Sequence, residues 1–594
     1  MLFKISIPKL ILTISFAGIW LTFPLLTQPA LAASDFTVTV DRIFRANIDG
    51  ETLHVTERRT FTSNSTTYYI PAGAQEEFTI HTFKSENPDA EMSHKLDTLK
   101  VTDQHGRSLT HTTAIQDKNI KVSVGYPSDI RFGQTQVIQI EYDTDELQER
   151  IGKVTNIFVP GLTGNLEEQM TDPVTRTTTQ ITYRTTLEVP KSLGEPSSTQ
   201  PPPSSTTSTA DQYVYEFDTL SILERQVWHQ IGSEQIYYFK LTQYTTRTDF
   251  STPGMWDFLS KDEYRIVLPR EYDETQQKVY FSNLSPAPEK LEKDDDGNLI
   301  ATFYIDANAD KTITVEGYIT VSTENKATTH GNGAQLSDIG KYSEMQNYLK
   351  ESEYWEVNSP EIQQKARELA GGETEILTIL RANYEFIIDS IDYSEFKYGN
   401  QNTRQGALAT LRGGESVCME YSDLLIALTR AQGIPSRAAY GYGYDPKLPM
   451  DQQENHQWVQ VWVPDYGWLS IDPTWGETGR EYIGADLDHA LWYVASQHPN
   501  VPPPLEVVSA GRDYSLEPIQ MEIIAITEIP STVTVKSASE LLQETGTQTK
   551  LDQVTRFVQT SMLGRSLLVI VPAIGGILAL ALIFSLLSRI LRKK

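Results

Sequence analysis

Cysteine is nearly missing: Cys418 is the only one among 594 residues. A lone thiol forms no intrachain disulfide, and cysteine-built zinc and iron–sulfur sites are excluded with it. Cationic residues are outnumbered, 50 Lys and Arg against 78 Asp and Glu, leaving a formal charge of −28. Such a field repels phosphate, so nucleic acid is excluded as an electrostatically driven partner. No HExxH pair, Walker loop or dinucleotide fingerprint occurs, and no metal or nucleotide cofactor is implied. At 294–298 and 306–310 the glycine and terminal glutamate of a calcium loop are not at their offsets, and these segments read as hairpin turns. Tandem repeats with the periods of solenoids or propellers are absent too.

Apolar material is ample, 39% of residues with 9 Trp, 29 Tyr and 20 Phe. At roughly 100 to 200 residues per domain, the length predicts three or four folded units. Long apolar runs occur only towards the two ends. Lys4 and Lys9, an apolar run over 10–26 and then Ala30-Leu31-Ala32 follow the order of a secretory signal peptide, 1–33. The uncharged stretch 566–588 is long enough to cross a hydrocarbon core as a transmembrane helix. Arg589, Arg592, Lys593 and Lys594 behind it place the basic tail, 589–594, in the cytoplasm. The expectation is a single-pass cell-membrane protein with an extracytoplasmic ectodomain, the lipid bilayer being its partner through 566–588.

Between the ends the hydrophobic period changes once. Up to about residue 323 it is two, rich in Val, Ile, Thr and Tyr, with turn dipeptides such as Asp49-Gly50, the mark of antiparallel β structure. This predicts a β-sandwich-like domain at 34–165 and a second β-rich domain at 166–328. A Pro/Ser/Thr-rich stretch at 194–210 is expected to be an exposed loop. Beyond 333 the period becomes 3.6. Ser359-Pro360 opens one helix, Gly371-Gly372 closes it, Thr374 can cap the next, and apolar residues recur at helical spacing over 376–391. An α+β domain is expected at 335–500, then a juxtamembrane segment at 501–565.

The chemistry concentrates in that α+β domain. Cys418 begins an amphipathic helix that Gly433 ends, so the thiol sits where the macrodipole and unpaired N–H groups favour a thiolate and a developing oxyanion. A buried inert cysteine is the competing reading. Downstream, an alternating strand carries His456, and a second strand after a turn leads to Asp472. A nucleophilic thiol needs a base, and the base needs a carboxylate to fix its tautomer; Cys418, His456 and Asp472 supply those roles. A four-residue turn at 464–467 would put Asp472 opposite Val459, on the wrong face, so a wider loop or a bulge is predicted. His489 and His498 read as surface or loop histidines.

Gly413 four residues before Val417-Cys418, the helix end Arg430-Ala-Gln-Gly-Ile-Pro-Ser-Arg437, then Asn455-His456-Gln457-Trp458 and Gly467-Trp-Leu-Ser-Ile-Asp472-Pro-Thr474 together resemble the transglutaminase-like superfamily of cysteine enzymes. The resemblance covers about 335–500. It implies a papain-like triad at Cys418, His456 and Asp472, and a second oxyanion donor from an upstream side chain, for which Tyr393 and Gln405 are the candidates. A small residue usually follows the histidine in this family; Gln457 stands here, and strand alternation turns it away from Cys418.

The expected fold is therefore multidomain: all-β sandwich-like domains, an α+β transglutaminase-like (papain-like) domain and a C-terminal transmembrane helix. The expected function is that of a membrane-anchored extracytoplasmic cysteine peptidase or acyltransferase acting on protein or peptide amides through a thioester, with hydrolysis placed ahead of amine cross-linking. The alternative is a catalytically silent module in a surface adhesion or assembly protein.

Overall fold

The computed structural model describes residues 34–82, 96–116, 119–162, 169–171, 177–223, 225–247, 261–272, 277–306, 311–323, 333–394, 397, 403–443, 455–477, 481–484, 486–508, 514–516 and 518–545. The segments read as signal peptide, transmembrane helix and cytoplasmic tail lie outside these residues. Among the described residues no helix is long and apolar enough to cross a membrane.

Strict alternation makes Phe36–Ala46 a strand with one buried face, and Asp49-Gly50 turns it into Leu53–Ser63, Gly50 taking a φ of 76°. These strands lie in an eight-stranded sheet. Phe36–Ala46 also pairs in parallel with Thr178–Pro190, whose other edge pairs antiparallel with Gln212–Phe217. A three-stranded sheet and a four-stranded sheet complete this unit around one apolar core extending from Val38 to Ile231. The boundary expected at 165/166 thus falls inside the unit. Parallel pairing over so long a crossover leaves no trace in local periodicity. The expected loop at 194–210 is corrected as well: Pro196–Gln200 pairs with Val227–Ile231, and Ser205–Ser208 with Gln212–Phe217. None of these loop residues is buried. They form edge strands, where proline and hydroxyl residues are tolerated.

A second β unit is built on Glu234–Arg247 and Lys311–Ser322, with a four-stranded sheet containing Lys261–Leu268 and Leu299–Asp306. The stretch expected to be juxtamembrane completes it. Leu505–Val508 pairs with Lys261–Leu268, Gln520–Ile526 with Glu234–Arg247, and Lys536–Ser537 with Gln277–Ser285. Short return strands of this kind gain their stability from a distant sheet rather than from their own sequence.

The α+β domain packs helices Pro360–Ala370, Ile376–Ser390 and Cys418–Ala431 on a four-stranded antiparallel sheet. Its order is Gly467–Ile471, Asn455–Val463, Ser436–Gly443, His489–Ala495. Glu375, not Thr374, caps the second helix, its carboxylate accepting the Thr378 N–H. The other face of the sheet joins the second β unit, Tyr442, Leu487 and Trp492 sharing its apolar core. Covered on both sides, the strands are buried almost continuously. Side-chain amides of the β unit satisfy the free edge. Gln277 accepts the Leu491 N–H at 2.8 Å and donates to the Leu491 carbonyl at 2.7 Å, and Asn298 does the same for Val494 at 2.8 and 2.9 Å.

Candidate active site

Cys418 is the first residue of its helix, where the leading N–H groups lack intrahelical acceptors. Glu420 reaches back to the start of the helix, its carboxylate accepting the Val417 N–H at 3.1 Å. Glu420 is wholly buried, and Lys397 Nζ lies 2.6 Å from it with 2% exposure. Lys397 also donates to the Glu415 carbonyl at 3.1 Å, so the pair ties the loop before Cys418 to its helix. One turn on, buried Asp423 pairs with Arg404 and accepts the Trp355 Nε1–H at 2.7 Å. At the other end Gly433, with φ 82°, lets the Ile434 N–H reach the Thr429 carbonyl at 2.9 Å.

His456 and Asp472 meet by regular pairing. Val463 faces Gly467 and Val459 faces Ile471, so the turn is the three residues Pro464, Asp465 and Tyr466, with Asp465 at φ 64°. The predicted bulge or wider loop does not form. Counting Gly467 into the strand moves the register by one, which brings Asp472 to the same face as Trp458 and hence His456. His456 Nε2 stands 2.8 Å from Asp472 Oδ2, and Cys418 is among the groups that favour the charged form of the imidazole. Asp472 Oδ1 accepts the N–H groups of Thr474 at 2.9 Å and Trp475 at 3.3 Å, capping the short helix Pro473–Gly476 and fixing the carboxylate plane.

His489, expected at the surface, is buried against this array. Its Nε2 lies 3.2 Å from the same Asp472 Oδ2, and its Nδ1 is 2.9 Å from both oxygens of Asp486. Trp475 lies under both imidazoles, its ring 4.9 Å from His456 and 4.7 Å from His489. Burial works against a charged His456, yet the Asp472 carboxylate and Cys418 outweigh it and raise it to about 10. His489 is raised to about 9, burial again being overcome by Asp486 and Asp472. Asp472 is pulled well below the carboxylate range: burial opposes this, and the two histidines prevail. The donor atoms of His456, Asp472 and His489 lie within 4.8 Å of one another, a spacing a metal would also accept. The nitrogen–oxygen distances are those of hydrogen bonds, and carboxylate–imidazolium contacts account for the cluster. His498 is partly exposed and pairs with Glu353 at 3.2 Å, as expected of a surface histidine.

The oxyanion candidates separate. Tyr393 is half-buried and its backbone bridges in parallel to Ser416, beside the segment leading to Cys418. Gln405 is exposed, and its Oε1 packs so closely on Gly414 that a Cβ there would stand 2.4 Å away. Gln457 faces away from His456, as alternation requires. That face carries Val459 and Val461 into the helical core, so the Gln457 side chain is buried.

Cysteine at a helix start, histidine on the neighbouring sheet and a capped, buried carboxylate define the class of thiol–imidazole–carboxylate centres. Residues 363–473 match the transglutaminase-like superfamily, and this part of the chain is a transglutaminase-like domain. An uncharacterized protein of Mycobacterium tuberculosis is 25% identical over 260 residues, 40% of this chain and 78% of that one. A protein-glutamine gamma-glutamyltransferase of Pseudomonas aeruginosa is 36% identical over 80 residues, 12% of each chain. The periplasmic domain of TgpA from Pseudomonas aeruginosa aligns with 41% of this chain and 88% of its own at 15% identity, with a TM-score of 0.23.

Proposed function

We propose that this protein is a membrane-anchored, extracytoplasmic transglutaminase-like cysteine enzyme that cleaves protein or peptide amides through a thioester. The observation that carries the reading is the His456 imidazole, which Cys418 and Asp472 both favour in its charged form, hydrogen-bonded at 2.8 Å to a buried, capped Asp472. His456 takes the thiol proton, and the thiolate attacks the amide carbonyl carbon. The C–N bond breaks as His456 returns the proton to the leaving amine. Water then attacks the thioester, giving its proton to His456, and the acid and free thiol are released. An amine in place of water gives cross-linking by the same steps. Hydrolysis is placed first because the site needs only water for it. The Cys418 N–H at the helix start is the oxyanion donor, with Tyr393 or Gln405 as the second. The apolar segment 566–588 and the basic tail support the anchoring, and the acidic charge speaks against nucleic acid.

The test is to incubate the full chain with glutamine-containing peptides, with and without a primary amine, and follow products by mass spectrometry. Released acid is expected, together with an acyl adduct on Cys418 that is lost in Cys418→Ala. Amine incorporation outpacing hydrolysis would reverse the preference. Turnover unchanged in Cys418→Ala would overturn the enzyme reading.

A further inference from the structure

The mechanism leaves one buried group unused. His489 sits on the far side of the Asp472 carboxylate from His456, and both imidazoles share the oxygen Oδ2. Both ring nitrogens of His489 face carboxylate oxygens, Asp472 on one side and Asp486 on the other. A neutral imidazole has one donor and one acceptor, so satisfying both contacts requires protons on both nitrogens. The charged groups around it then alternate in sign: Asp486, His489, Asp472, His456 and the Cys418 sulfur.

The array is held from outside the catalytic domain. Asp486 is set by the N–H groups of Asp488 at 2.8 Å and His489 at 2.9 Å. The loop carrying these residues is gripped by the β units: Gln230 Nε2 donates to Asp488 Oδ1 at 3.1 Å, and the Tyr237 hydroxyl donates to the Leu487 carbonyl at 2.6 Å. Tyr482 and Trp458 close the pocket with Trp475, their rings 5.7 and 4.7 Å from that of His489. Asp486 and His489 both lie beyond the matched residues 363–473.

We propose that His489 is a positioning residue of this site: as a buried imidazolium it clamps Asp472 against His456, and its positive charge offsets the Asp472 carboxylate where Cys418 reacts. The inference rests on the Cys418–His456–Asp472 reading above. Doubly protonated, His489 occupies part of the acceptor capacity of Asp472, so the carboxylate orients His456 without being free to rotate. A carboxylate alone would raise the basicity of His456 but would also oppose a thiolate nearby. The second imidazolium offsets that opposition.

The test uses the full chain, in which Cys418 is the only thiol. The rate of iodoacetamide alkylation is measured from pH 4 to 9 for the wild type, His489→Gln, His489→Phe and His456→Ala. A unit charge roughly 10 Å from a thiolate, at an effective dielectric of about 20, moves the acid limb by about one pH unit. Gln keeps a donor towards Asp472 and loses the charge, so its acid limb is expected about one unit higher with a plateau near the wild type. Phe loses both and is expected to shift the limb and lower the plateau. A His489→Gln limb coincident with the wild type, while His456→Ala abolishes the low-pH thiolate, overturns the role of His489 alone. A wild-type limb retained in His456→Ala instead overturns the triad reading beneath it. Neutron diffraction from crystals of the wild-type chain reads the proton without any variant: deuterium on both His489 nitrogens is expected, and one bare nitrogen overturns the proposal.

Discussion

Replacing Asp472 with asparagine isolates the charge of the site with little change of shape. The amide oxygen can still cap Thr474 and Trp475, as Asp472 Oδ1 does at 2.9 and 3.3 Å. What disappears is the negative charge between two imidazoles. Raising His456 from 6.5 to about 10 corresponds to about 5 kcal/mol in favour of the imidazolium. Burial is the largest single influence on His456 and acts against the charged form; the Asp472 charge and hydrogen bond are what chiefly overcome it. In Asp472→Asn that burial is opposed by Cys418 alone, and His456 should fall well below about 10. Once neutral, it leaves Cys418 without an imidazolium partner. Ordinary thiols are ionised to about 3% at pH 7 and about 0.03% at pH 5. Losing that partner should therefore lower the alkylation rate, by at most about 30-fold at pH 7 and by more at pH 5, the bounds being set by the ionised fractions of an ordinary thiol. Mass spectrometry of the single thiol measures it directly. A variant rate within threefold of the wild type at pH 5 would refute the electrostatic reasoning.

Three further outcomes follow from the packing. Lys397→Met strands the Glu420 carboxylate in a fully buried position and should cost about 3–5 kcal/mol in urea unfolding of the catalytic domain, with Lys397→Met/Glu420→Gln recovering part of it; a loss under about 1 kcal/mol would count against the ion pair as drawn. Gly441→Ala places a Cβ 2.1 Å from the Ala490 carbonyl oxygen, so it should force the His489 strand away and lower the melting temperature and the alkylation rate together. For pH, His456 and His489 are both raised on folding, to about 10 and about 9. Their contribution is complete below about 6.5 and is lost as pH climbs through 9 to 10; calorimetry should show the catalytic domain melting lower with each step over that range, and a flat profile would contradict the ion pairs.

The legible part of the site was the part coded locally. Cys418 could be assigned a helix start because Gly433 and an apolar face define the helix around it. His456 and Asp472 could be assigned to adjoining strands because a turn sequence separates them. The register was misjudged by a single residue. Whether Gly467 belongs to the turn or to the strand depends on the backbone of Asp465, whose positive φ tightens the loop to three residues. His489 was set aside because nothing in its neighbours marks it as buried. Its environment comes from the sheet edge, from Trp475 and from two β units far away in sequence. Lys397 and Glu420 carry no local mark for the same reason, since charged residues are usually solvated. In the β region, alternation revealed strands but not partners. The parallel join of Phe36–Ala46 to Thr178–Pro190, and the return of 505–537 onto the second unit, are long-range pairings with no local code.

The sequence by itself determined the chemical kind of centre, because one thiol at a helix start, one histidine and one aspartate in three ordered motifs leave few other uses for Cys418. It also determined the secondary structure that carries them, since amphipathic period and glycine caps are local properties. Tertiary structure alone decided how the centre is charged and held. A carboxylate shared by two imidazoles, an ion pair sealed beneath the Cys418 helix and an edge strand gripped by Gln277 and Asn298 all arise from segments up to 214 residues apart. Their energies depend on burial, and burial exists only once those segments have met.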